Sequence, residues 1–208
     1  MEFILLKATF GILASIFVLI GGIPYLSDIK NKKVKPHVLS WLGWAFITTL
    51  GALAMLAGGS VWAVAILFAN AALCLTIALF SIIKRAGVWS TGIQDYIFFG
   101  IGIIGLILWQ VLDMPILALI CAIIADFSFG IPTIIKTFKD PSTETPFVWI
   151  MATLSGLFSL FALQNFSFSE SAYPIYLFMF DSIVLILTLK IITKQIKKIP
   201  EEEPHSPR

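Results

Sequence analysis

Seven apolar stretches divide this chain almost completely among themselves. They run Phe3–Ser27, Val38–Leu56, Val61–Ile83, Tyr96–Leu112, Pro115–Ile135, Phe147–Leu163 and Tyr173–Ile192. Each approaches or exceeds the about 20 residues that a helix needs to cross a hydrocarbon core of about 30 Å. The breaks between them, Lys30–Pro36, Ala57–Ser60, Lys84–Asp95, Asp113–Pro115, Lys136–Pro146 and Gln164–Pro174, are short and polar or rich in turn formers. The composition agrees, with 59% hydrophobic and 12% charged residues, against about 25% charged in a soluble domain. A soluble globular enzyme, a disordered chain and a nucleic-acid binder are all excluded on these grounds. The net charge of +2 offers no basic binding face. Cys74 and Cys121 lie inside apolar runs, so no disulfide framework is expected. The fold class expected is an all-α membrane protein of seven transmembrane helices.

The basic residues orient it. With the N-terminus outside, the inner side receives Lys30, Lys32, Lys33, Lys35, Lys84, Arg85, Lys136, Lys139, Lys190, Lys194, Lys197, Lys198 and Arg208, thirteen of the fourteen Lys and Arg. Lys7 alone falls on the outer half. The positive-inside rule therefore predicts an outer N-terminus and a cytoplasmic C-terminus. The first span has no basic residue before Phe3 and no small-residue cleavage site after it, so it is expected to remain in the mature protein. Trp41, Trp44, Trp62, Trp89, Trp109 and Trp149 lie near span ends, where indole rings favour the headgroup layer. The residues 200–208 read as a short, polar, disordered tail.

An internal repeat organises the spans. Gly22-Ile23-Pro24 matches Gly130-Ile131-Pro132 at a spacing of 108 residues, and Trp41 matches Trp149 at the same spacing. In each copy a helix is expected to end at Gly-Ile-Pro. A basic loop, a proline (Pro36, Pro146) and a Trp-bearing helix follow. The third helix of each copy carries a polar residue near its middle, Asn70 in one and Asp181 in the other. Three helices reverse the chain's direction, and one additional crossing restores it. Two parallel repeats (3–84 and 115–194) joined by a linker helix (93–112) are therefore expected within one membrane domain of residues 1–199.

This 3+1+3 plan resembles the SWEET and PQ-loop transporter superfamily, over nearly the whole chain in topology and at few residues in motif. The resemblance implies that Pro24, Pro36, Pro132 and Pro146 form a set of hinges toward the cytosol, and that Asn70, on the third helix, faces the solute. Asp181 stands where the sugar carriers have a second asparagine. Tyr25 and Thr133 replace the glutamine that follows each proline in the PQ-loop signature. These departures leave the fold expectation in place and widen the substrate class. Vitamin carriers of the nicotinamide riboside type share the same plan.

Among chemically capable residues, Asp126 and Asp181 stand out. An aspartate at mid-membrane costs about 2.5–3.5 kcal/mol on insertion scales, and the sequence offers neither of them a mid-membrane Lys or Arg. Each is expected to face a wet cavity, hold a proton, or bond to Ser, Thr or Asn neighbours. The alternative is a protonated acid that merely joins two helices. Gly100-x-Gly102-x-x-Gly105 spells a dinucleotide fingerprint, but it lies in an apolar span with no preceding strand, so close helix packing is expected instead. Asn165-Phe166-Ser167 is a glycosylation sequon on the outer side. His37 and His205 have no partners at metal-ligand spacing.

Together these features predict a carrier that moves a small polar solute by alternating access. Asn70, Asp181 and Asp126 are the expected substrate-binding residues, and the four prolines the hinges. The expected partners are the solute and the bilayer, with no nucleic acid, no cofactor and no metal. The pattern is compatible with coupling to a proton or cation and with a homo-oligomer. A bacterial inner membrane is the expected location. The alternative is a ligand-sensing seven-helix receptor of the same superfamily. Retinal binding is disfavoured, because Lys190 sits near the inner end of the seventh span. Intramembrane proteolysis is disfavoured because the flanks of Asp126 and Asp181 differ from the motifs of aspartyl proteases, and no enzymatic activity is expected.

Overall fold

A computed structural model describes residues 2–57, 62–90, 92–111, 115–163 and 166–196. Over these residues the chain is helical: α1 (Glu2–Lys30), α2 (Val38–Ala57), α3 (Trp62–Ile83), α4 (Ile93–Val111), α5 (Pro115–Lys139), α6 (Pro146–Ala162) and α7 (Phe168–Ile196), with a 3-10 turn at Pro141–Thr143 before α6. The tail, with His205, and Asn165 of the sequon lie outside the described residues.

Three helices, over Leu5–Lys30, Ile120–Lys139 and Ser171–Leu189, are long and apolar enough to cross a membrane. Shorter apolar segments are described at Val38–Thr49, Asn70–Ile83, Ile93–Gly105 and Pro146–Ala162. The outward surface is apolar in stripes at helical spacing. On α4 the stripe runs Ile93, Ile97, Ile101, Ile104, Leu108 and Val111, and on α7 Ile175, Met179, Ile183 and Ile186. Soluble monomers rarely expose apolar patches of more than a few hundred Å². Meanwhile His37, Asp95, Asp126, Lys136 and Glu144 are buried inside. Polar groups inside and leucine and isoleucine outside suit a lipid solvent.

The helices pack in a fixed pattern. Among the described residues the backbones of α1 and α2 do not approach each other, and α3 lies against both. Likewise α5 and α6 stay apart, and α7 lies against both. Across the bundle, α1 packs along α6 and α2 along α5. The fourth helix packs mainly on α5 and touches α2.

Two clusters form the core. One gathers Tyr25, Ile29, Trp41, Ile77, Trp149, Phe180 and Val184 among its members, and the other Ile47, Ala122, Ala125 and Phe129. The ring of Phe129 is clasped between glycines of two other helices. A Cβ built on Gly43 of α2 would stand 2.3 Å from it, and one on Gly102 of α4 2.4 Å. Gly105 likewise brings α4 against Ala125, with a built Cβ at 3.1 Å, whereas Gly100 faces open space. The glycine fingerprint is thus packing at two of its three positions. Because the ring is held on both sides, Gly43→Ala and Gly102→Ala are each expected to destabilise by about 1–3 kcal/mol. A Phe129→Leu background should recover much of the loss. Denaturant unfolding of the purified protein in micelles reads both effects.

Two sequence expectations are corrected here. The helices do not end at Gly-Ile-Pro: α1 continues through Pro24 to Lys30, and α5 through Pro132 to Lys139. A proline removes one backbone bond and crowds the preceding turn. The turns beyond are nevertheless held by burial of Tyr25 and Ile29 in α1 and of Thr133, Lys136 and Thr137 in α5. Similarly, α7 starts at Phe168 and contains Pro174, within what the sequence marks as a break.

Candidate functional site

Asp126 lies midway along α5 and is 5% exposed. Its carboxylate accepts a hydrogen bond from the Tyr173 hydroxyl at Oδ2 and another from the Tyr176 hydroxyl at Oδ1, 3.2 Å away. Both tyrosines belong to α7, at positions i and i+3, so one face of that helix presents two donors to α5. The Trp44 indole Nε1 of α2 donates to the main-chain carbonyl of Asp126 at 3.4 Å. The sequence expectation of Ser, Thr or Asn partners is replaced by tyrosines, which bring a hydroxyl and an apolar ring together.

Aromatic rings surround this centre. Trp44 meets Trp41, Trp149 and Phe180 edge to face, with centroids 5.2, 6.3 and 5.8 Å apart. Phe127, Tyr173, Tyr176 and Phe180 continue the array along α5 and α7. Trp41 and Trp149 are buried, so they are interior rings and not headgroup anchors, whereas Trp89 is half exposed.

Asp181 lies on α7 next to Phe180. It is half-buried and within electrostatic reach of Asp126. Among the described residues its carboxylate has no hydrogen bond or ion pair, unlike that of Asp126. Asn70 is half-buried on α3, one turn before the buried Cys74, and its amide makes no hydrogen bond to Asp126 or Asp181. The structure therefore brings Asp126 and Asp181 into one electrostatic neighbourhood and leaves Asn70 outside their hydrogen bonding. Pro24 and Pro132 lie within helices, Pro146 opens α6, and the buried Pro36 precedes α2.

A second polar centre sits where the connections α1–α2, α3–α4 and α5–α6 meet. Glu144, buried in the α5–α6 connection, takes the ammonium of Lys136 on Oε1. Its Oε2 accepts from the Tyr25 hydroxyl at 2.7 Å and from Trp149 Nε1 at 3.1 Å. Lys136 also donates to the carbonyl of Lys35. Close by, Thr145 donates to Asp28 at 2.7 Å. The α1 helix and its following loop are thereby tied to α5 and α6. Sequence reasoning missed Glu144, because a lone glutamate in a loop has no spacing signal. Tyr25 is 119 residues away. Tyr173 and Tyr176 carried a readable hint in their i, i+3 spacing on the helix that holds Asp181.

His37, fully buried, caps α2. Its Nδ1 accepts from the Ser40 amide at 3.3 Å and contacts the Ser40 hydroxyl at 3.0 Å. An acceptor at Nδ1 places the ring proton on Nε2, which faces Asp95 Oδ2 at 3.3 Å. Burial pushes the His37 pKa below its ordinary 6.5, and the neighbouring Asp95 opposes this. A base depressed in the folded state binds fewer protons there than in the unfolded chain. Its contribution is fully present above about pH 6.5 and is lost as pH falls from there toward the depressed folded value. Thermal midpoints are accordingly expected to drop between pH 7.5 and 5, with a shallower drop in His37→Gln.

No protein-family model matches the chain, and neither a curated protein nor a solved structure is significantly similar to it.

Proposed function

We propose that this protein is a seven-crossing membrane carrier that moves a small polar solute by alternating access between two three-helix repeats. The observation that carries the reading is the pair Asp126 and Asp181. Both are carboxyls inside apolar helices, within electrostatic reach of each other and without a cationic partner among the described residues. Asp126 is engaged by the chain's own hydroxyls, whereas among the described residues nothing donates to Asp181. Asp181 is therefore the solute contact, and Asp126 is the group that tunes it or exchanges a proton. The expense of such groups in lipid makes a functional role the default reading.

The packing pattern supports the repeat. Exchanging α1, α2 and α3 for α5, α6 and α7 turns each helix contact within and between the triplets into another that is observed. The matched glycines behave alike as well. A Cβ on Gly22 would stand 2.5 Å from Leu73 of α3, and one on Gly130 2.4 Å from Phe180 of α7. In this reading the Glu144 centre closes the cytoplasmic end, and Pro24, Pro36, Pro132 and Pro146 hinge its opening. This is the arrangement that the resemblance to SWEET and PQ-loop carriers implies. In this reading the basic loops face the cytoplasm, and the membrane is a bacterial inner membrane.

The test is uptake by proteoliposomes of labelled sugars, amino acids, vitamins and organic cations. It is run with and without an inward acid gradient, for the native chain and for Asp181→Asn. Uptake of one class, accelerated by the gradient and losing that acceleration in the variant, establishes a proton-coupled carrier. Uptake indifferent to the gradient but weakened in the variant identifies a facilitator with Asp181 at its site. No uptake from folded protein overturns transport in favour of a ligand-sensing receptor.

A further inference from the structure

The α1 and α3 helices end in the same uncommon way. Lys32 and Arg85 have φ of 54° and 50°, the left-handed region where glycine usually closes a helix. In both, the closing amides fold back in a paired pattern: Lys32 to Ile29 and Lys33 to Asp28, Arg85 to Ile82 and Ala86 to Ser81. The chain thus keeps a cation at two positions where glycine would be relaxed, and strain of this kind collects at functional sites. Lys32 and Arg85 both line one pocket of about 210 Å³, as does Lys35.

The pocket is held rigidly. Val38 N–H donates to Val88 O and Val88 N–H to Pro36 O, both at 2.8 Å, while Lys35 N–H donates to Thr143 O at 2.8 Å. Gly87 permits this approach, since a Cβ there would stand 2.5 Å from Val38. Among the described residues no carboxylate pairs with Lys32, Lys35 or Arg85. At this end Asp28 is engaged by Thr145, and Asp140 by Ser142. Next to the pocket Ile83 is 71% exposed and Trp89 50%. An apolar side chain and an indole at that level mark the headgroup boundary.

We propose that Lys32, Lys35 and Arg85 form a binding site for a phosphate-bearing anion, the headgroup of an anionic phospholipid or a free phosphate ester. Three cations on a fixed frame, two of them at backbone positions that disfavour any side chain, fit a dianionic or monoanionic phosphate better than a diffuse basic surface does. The proposal rests on this end of the bundle lying at a membrane surface, and flotation of the chain with vesicles tests that point separately.

The experiment measures quenching of Trp89, isolated as the difference between the native chain and Trp89→Phe. The vesicles are phosphatidylcholine with a fraction of dibrominated phosphatidylglycerol or of dibrominated phosphatidylcholine. The native chain should prefer the anionic lipid by on the order of tenfold. Lys32→Gly with Arg85→Gly relaxes both turns, so its thermal midpoint should hold or rise while the preference falls to near unity. Lys30→Gln with Lys33→Gln removes the same charge from neighbours outside the pocket and should keep the preference. Displacement by excess glycerol 3-phosphate assigns the site to a soluble phosphate ester, and its failure assigns it to the lipid. An absent preference in the native chain, one that survives the glycine pair, or equal loss in both double variants overturns the site.

Discussion

Glu144→Ala is expected to destabilise the protein by about 3–5 kcal/mol, read as a loss of unfolding free energy in detergent micelles. The substitution removes the carboxylate that Lys136, Tyr25 and Trp149 share, in a setting where it is 3% exposed. The larger part of the cost comes from the ammonium left behind. Lys136 is also buried, and the Lys35 carbonyl cannot neutralise its charge. Replacing both partners together, Glu144→Leu with Lys136→Met, should therefore recover most of the loss. Tyr25→Phe removes one hydrogen bond to a charged group and should cost about 1.5–3 kcal/mol. A double variant no more stable than Glu144→Ala would show that the ion pair is not what holds this end together.

On the carrier reading proposed above, Asp126→Asn is expected to reduce solute uptake about 10- to 100-fold while shifting the thermal midpoint little. The amide keeps the shape and one acceptor oxygen for the Tyr173 and Tyr176 hydroxyls, so the joint between α5 and α7 survives. It loses the charge and the second acceptor, but the hydroxyl left facing the amide NH2 can turn to accept a hydrogen bond from it. Asp126→Ala separates the two roles. It strands both hydroxyls, so both stability and uptake should fall, by about 2–5 kcal/mol in the first case. Native uptake in Asp126→Asn would reduce Asp126 to a structural link between helices, leaving Asp181 as the candidate contact.

The helices were legible because hydropathy writes a membrane-scale element directly into the chain, and breaks such as Lys84–Asp95 are marked by charge. Helix ends near proline were not. The rule that proline closes a helix is local, whereas Tyr25 and Lys136 extend α1 and α5 through the distant partners Glu144 and the Lys35 carbonyl. Asp126 and Asp181 were legible as anomalies of burial, but the hydroxyls on Asp126 depend on how α7 turns toward α5. The Glu144 centre was invisible for the same reason. Its participants are ordinary residues singly, and only the packing of α1 along α6 makes them a unit. The tryptophans show the limit of positional rules, since Trp41 and Trp149 sit near helix starts yet turn inward.

That packing of α1 along α6 also has a temporal side. The α1 helix finds its most extensive neighbour in α6, which is synthesised only after the four helices between them, and the Tyr25–Glu144 bond joins residues 119 positions apart. The nascent protein must therefore hold α1 provisionally, against α3 alone, until α6 has been made. Chains interrupted before α6 would present an undocked α1 to quality-control proteases, so truncation should be read out as rapid turnover and not as a smaller stable product.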